Sequence, residues 1–186
     1  GALLIGEIEH AARGFNKVAA GVWTYTSRFE RYDAVASGDT VRRAGNRGAY
    51  VVADRPLGDM AGAHFDGMLR AGFASGSFNA ARQYVGAAFV ASRLFESRPD
   101  DAIGLALAHV RTSSSFRRQM SFDGGAPGKV ETQVELTWRA PLADWVAVVP
   151  GAQWVNRPGA DANVRDAFVV GMRFEFALQH TWPMVV

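Results

Sequence analysis

Cysteine is absent from the 186-residue chain, which excludes a disulfide framework, thiolate metal sites and cysteine nucleophiles in any redox compartment. Lysine is nearly absent too, since of 20 basic residues only Lys17 and Lys129 are lysines. The positive charge is therefore almost all arginine, whose planar fork hydrogen-bonds two acceptors at once. The 18 acidic residues are interspersed with the basic ones for a net charge of +2, so no block reads as a nucleic-acid tail and no nucleic-acid partner is expected. Long apolar runs are missing as well. The longest, such as Tyr84–Ser92 and Ala102–Val110, reach about half of the ~18–20 residues that a membrane-spanning helix needs.

What is present is 48% hydrophobic residues, 11% aromatics and a mean hydropathy of -0.04. That is too apolar for a disordered chain and enough for one domain or part of a larger one. A closed β-barrel in a membrane stays compatible with these values, because its strands are short and only every second residue is apolar. The chain opens at Gly1 inside the apolar run Ala2–Ile5, without initiator methionine, basic segment or cleavage site, and reads as a mature or truncated piece.

Period two is the dominant pattern. Val130, Thr132, Val134, Leu136, Trp138 and Ala140 alternate with Glu131, Gln133, Glu135, Thr137 and Arg139. A helix would scatter those charges, whereas a strand puts them on one face. Phe168, Val170, Met172, Phe174, Phe176 and Leu178 alternate with Val169, Gly171, Arg173, Glu175 and Ala177, and Val146–Trp154 alternates more weakly. Ile103–Ala108, Leu69–Phe73, Leu3–Glu9, Val18–Ser27, Ala49–Arg55 and Tyr84–Ser92 bring the expectation to about nine strands. For Ala49–Arg55 and Tyr84–Ser92 both faces are apolar and the pattern assigns neither inward.

Short turns at Leu94–Asp101 and Pro141–Asp144 alternate with longer polar loops at Arg28–Asn46, Thr112–Gly128 and Asn156–Asp166, the sorting found in outer-membrane barrels. Trp23, Tyr25, Trp138, Trp145, Trp154, Phe174 and Phe176 gather near strand ends and suit interfacial girdles. The residues alone leave two architectures open, a membrane barrel and a soluble β-sandwich, because both alternate apolar and polar faces.

No enzyme, cofactor or metal is expected. Gly124–Lys129 has the wrong glycine spacing for a phosphate loop and is followed by Val130, where Ser or Thr is required. His10, His64, His109 and His180 lie in separate segments, and Ser113–Ser115 reads as loop polarity. The candidate binding residues are instead those that strand parity places on one polar face: Arg70, Glu131, Gln133, Glu135, Arg139, Gln153, Arg173 and Glu175. Mixed signs with abundant hydrogen-bonding capacity suit neutral solutes better than one ion type.

Several ordered blocks carry a family resemblance: RGAYVVADRPL at Arg47–Leu57, RAGFA at Arg70–Ala74, LFESRPDDAIGLALAHV at Leu94–Val110, GVWTYTSRF at Gly21–Phe29, and Val130–Gly159 with Asp166–Leu178. Together they resemble the carbohydrate-selective porins of Gram-negative outer membranes. The resemblance implies an all-β, antiparallel transmembrane β-barrel of sixteen strands. Residues 1–178 would be the C-terminal part of that single barrel domain, about nine strands of it, and residues 179–186 a tail. It further implies passive diffusion of small carbohydrates, contact with outer-membrane lipid, and it allows a homotrimer. The tail Gln179–Val186 departs from the family's usual finish at an aromatic last-strand residue.

Overall fold

The computed structural model describes residues 1–11, 15–32 and 41–177. Leu178, His180 and the tail 179–186 lie outside the described residues. Among the described residues nine strands form one antiparallel sheet: β1 (Leu3–His10), β2 (Lys17–Tyr25), β5 (Arg47–Met60), β6 (Ala63–Ala74), β7 (Ala81–Ser92), β8 (Ala102–Thr112), β9 (Val130–Ala143), β10 (Val146–Asn156) and β11 (Ala167–Phe176). A two-residue-per-strand hairpin, β3 (Phe29–Glu30) with β4 (Arg42–Arg43), stands apart in the connection between β2 and β5. Each strand of the large sheet pairs with its neighbours in chain order, and β1 and β11 form its two edges.

The expected nine strands are all found, most of them longer than the sequence pattern marked, whereas β2 ends at Tyr25 and β11 at Phe176, each short of its expected end. β5 and β6 are joined by only Ala61 and Gly62, whose φ of 51° and 87° give the left-handed pair that matches the twist of a tight hairpin. Asp144 and Trp145 join β9 to β10 equally tightly. Both turns lie at one end of the sheet with the connection between β7 and β8, and the connections that follow β2, β8 and β10, the longest in the sheet, lie at the other with the short one between β6 and β7.

One loop differs from expectation. Thr112–Gly128 contains a nine-residue helix, α1 (Ser114–Phe122), started by the Ser113 hydroxyl accepting from the Phe116 amide at 3.1 Å. Ser113 is buried and also donates its own amide to Ala80 at 2.7 Å. The Ser113–Ser115 run is thus a helix start, with the Ser115 hydroxyl accepting from Arg118 at 3.4 Å.

Among the described residues there is no conventional core, and the buried apolar ones are all small: Ala19, Ala63, Ala91, Ala140, Ala147, Val149 and Ala160. Large apolar residues are half-buried or exposed, Ile8 by 80% and Val170 by 72%. A soluble sandwich would stack a second sheet on the apolar face at about 10 Å, and among the described residues no such layer exists. The sandwich alternative is therefore excluded. A one-layer sheet is stable when lipid covers one of its faces.

Candidate functional site

Register fixes which residues share a face. One cross-sheet line runs Val18, Ala53, Leu69, Ala87, Leu107, Val134, Trp154, Phe168, apolar in every strand from β2 to β11. The adjacent line on the opposite face runs Lys17, Asp54, Met68, Ala88, Ala106, Glu135, Gln153, Val169. The next runs Ala19, Val52, Arg70, Gly86, Ala108, Gln133, Val155, Ala167. All eight residues singled out from the sequence fall on this charged face, but in three groups with different surroundings.

At the short-turn end, Arg139 Nε donates to Glu175 Oε2 at 2.8 Å and an Arg173 nitrogen donates to Glu175 Oε1 at 3.0 Å. Each carboxylate oxygen has its own cation. At the long-loop end, Glu131 Oε2 accepts from the Ala160 amide at 3.2 Å, which ties β9 to the 3-10 turn Pro158–Ala160. Between these ends lie Arg70, Gln133, Glu135 and Gln153. Among the described residues none of the four makes a side-chain hydrogen bond or ion pair. Glu135 and Gln153 are direct ladder partners. Arg70 stands across a bare stretch of wall made by Gly86, Ala88, Ala106 and Ala108.

The charged face holds more than the sequence reading found. Lys17 pairs with Glu9 at 2.8 Å, and the Tyr50 hydroxyl donates to Glu7. His64 Nδ1 and Asp59 Oδ1 are 2.7 Å apart, and Arg93 pairs with the same carboxylate. The i, i+2 spacing of Glu7 and Glu9 is the signal that could have added them to the polar face of β1, but Leu3 and Ile5 on the same face dilute it. Trp23 and Tyr25 also belong to this face, packed edge-to-face at 5.9 Å, and not to a girdle on the apolar side. For Trp23, and for Tyr50 on the same face, glycine makes the room. Trp23 lies over Gly48 and Tyr50 over Gly21, where a Cβ would strike the ring.

The remaining girdle residues do sit on the apolar side or its rim. Trp138 Nε1 and Arg98 Nε both donate to Asp101 Oδ2 at 2.8 Å, with the Arg98 guanidinium 5.8 Å from the Trp138 ring centre. Asp101 lies in the turn before β8, outside the strands. The Arg98 bond holds its carboxyl below the usual carboxylate range against the opposite pull of burial, with Trp138 helping. Trp145 stacks on Phe176 at 6.3 Å.

A single antiparallel sheet with a continuous apolar band across one face, a charged opposite face, and the longest loops gathered at one end is the wall of a membrane-spanning β-barrel. The sequence profile of the carbohydrate-selective porin, OprB family matches residues 1–178, and the chain belongs to that family. Its place is the Gram-negative outer membrane. Porin B of Pseudomonas aeruginosa is 24% identical over 94 residues, taking in 44% of this chain and 21% of the relative. The high-pH structure of Pseudomonas putida OprB superposes with a TM-score of 0.81 at 18% identity, covering 94% of this chain and 47% of that one. At that identity the likeness speaks for the fold. The chain spans about half the length of the solved relative.

Proposed function

We propose that residues 1–178 form part of one barrel domain through which small carbohydrates diffuse passively, down their gradient and without a cofactor or a chemical step. The observation that carries this reading is the middle group Arg70, Gln133, Glu135 and Gln153. They are polar groups on the face away from lipid, with their hydrogen-bonding capacity unspent. Donors and acceptors of both signs match sugar hydroxyls, whereas a ring of one sign would select ions. Glu131 and the Arg139–Glu175–Arg173 cluster serve as braces of the wall, because their bonds are already made within it. The apolar face lies against outer-membrane lipid.

The test is planar-bilayer conductance of the full-length barrel with and without added sugar. A net hydrogen bond contributes ~0.5–1.5 kcal/mol, and binding has to stay weak for flux. Replacing Glu135 and Gln153 together by alanine should weaken the block of ion current by sugar up to about tenfold, equivalent to ~1.4 kcal/mol. Truncating Arg139 should leave the block unchanged. An unaltered block in the Glu135/Gln153 double variant would remove these two residues from the site.

A further inference from the structure

The apolar face ends differently at its two rims. At the short-turn rim Arg98 is paired with Asp101 at 2.8 Å, and Arg55 lies over the Phe15 ring at 5.3 Å. At the long-loop rim three arginines gather and, among the described residues, none has a carboxylate partner. Arg47 and Arg111 occupy apolar-face positions in the register, Arg47 opposite Thr24 and Arg111 opposite Gln83. Arg82 sits in the β7 irregularity between Ala81 and Gln83, with its guanidinium 5.6 Å from the ring centre of Phe73 on the same face. Among the described residues none of these three arginines has an ion pair or side-chain hydrogen bond. The apolar-face positions at this end, Thr24 in β2, Phe73 in β6, Gln83 in β7, His109 in β8 and Val130 and Thr132 in β9, include no acid. The cations span three strand spacings, roughly 14 Å.

Directly below them the same face opens into a groove of about 410 Å³, whose lining includes Ala71, Phe73, Gln83, Val85, His109 and Arg111. His109 is held by Thr132 at 2.9 Å, so it stays at the groove's edge. In an outer-membrane barrel the long loops are extracellular, which places this rim at the headgroup level of the outer leaflet. Guanidinium groups without carboxylates, set at the boundary of an apolar band, are matched by phosphate, which they bind bidentately. The groove faces the bilayer and not the bore, so a soluble anion would leave it unfilled.

We propose that this rim is a binding site for a phosphorylated outer-leaflet lipid, with phosphate on Arg47, Arg82 and Arg111 and an acyl chain in the groove over Ala71 and Val85. The proposal rests on the barrel orientation and not on which solute crosses the bore. The test uses the full-length barrel, stripped of lipid in detergent, with bound lipid counted by native mass spectrometry. Diphosphoryl lipid A should bind at least tenfold tighter than phosphatidylcholine. The triple variant Arg47→Gln, Arg82→Gln, Arg111→Gln should lose that preference, and Ala71→Trp, which fills the groove, should weaken lipid A several-fold. Arg111→Gln alone serves if the triple variant fails to fold, with a smaller loss expected. Equal binding of the two lipids, unchanged binding in the arginine variants, or full displacement of lipid A by millimolar inorganic phosphate would overturn the proposal. Sugar block of current, measured on the same variants, should be unaltered, which separates failure here from failure of the solute pathway.

Discussion

Replacing Leu136 by arginine tests the assignment of faces at its most costly point. Leu136 is on the apolar face of β9, 51% exposed, with Leu105 and Ala152 as its ladder neighbours. Neither neighbour can pair with a charge. At a rise of ~3.3 Å per residue and a tilt of ~40°, each residue advances roughly 2.5 Å along the membrane normal. Leu136 is then about 15 Å from the start of β9 at Val130, near the middle of an apolar band ~25 Å tall. An arginine at that depth costs ~2–4 kcal/mol, a loss of roughly 30- to 700-fold in the folding equilibrium. Glu135→Arg is the control, because its ladder neighbours Ala106 and Gln153 lie on the charged face. Urea titration of the full-length barrel folded into vesicles measures both. Equal destabilisation by the two substitutions, or a larger effect at Glu135, would refute the assignment of faces.

Other expectations follow from particular contacts. Glu175→Gln leaves the Arg139 and Arg173 cations unneutralised, so reversal potentials across a salt gradient should shift toward anion selectivity. Gly48→Val drives a branched side chain into the Trp23 ring and the Phe73 carbonyl, and should destabilise by ~1–3 kcal/mol in the same urea titration. Asp101→Asn removes the carboxylate shared by Arg98 and Trp138. Because the folded Asp101 pKa is lowered, its stabilisation is present above the unfolded carboxylate value and lost as pH falls through the folded one. The stability gap between wild type and Asp101→Asn should therefore hold at neutral pH and close in acid, as read by thermal unfolding across pH.

The strands were legible where one face is strictly polar and the other strictly apolar. β9 comes nearest to that condition, and in β10 and β11 the unbroken apolar row fixes the parity instead, so the seven candidate residues of these strands share one face in the register. Parity gave less in β5 and β7. Both strands carry small or apolar residues on each side, and each has an irregularity in its register, near Pro56 in β5 and near Arg82 in β7. A bulge reverses the count of inward and outward positions without a marker in composition. Trp23 and Tyr25 misled for another reason. Nearness to a strand end says that an aromatic is at the interface, but only the register with Gly48 says on which side of the wall. Helix α1 was hidden because its mean hydropathy is low and its start signal, Ser113, lies inside a run of serines that also reads as loop. Which polar groups remain uncommitted depends on distances that no spacing rule supplies.

Nearest-neighbour pairing throughout the large sheet bears on how such a wall assembles. Among the described residues every ladder of the large sheet joins strands that follow one another in the chain, apart from the small β3–β4 excursion, so pairing within this sheet does not wait on a distant segment. Loop-closure entropy then ranks the hairpins. Two-residue turns close β5–β6 and β9–β10, whereas residues 26–46 separate β2 from β5, a difference worth roughly 2 kcal/mol by the logarithmic length rule. The two tight hairpins are the natural seeds, and the sheet can grow outward from each by adding one strand at a time. Low sequence separation of this kind favours rapid formation for an all-β structure. It also means that the long connections can lengthen or diverge in sequence without altering the order in which the strands come together.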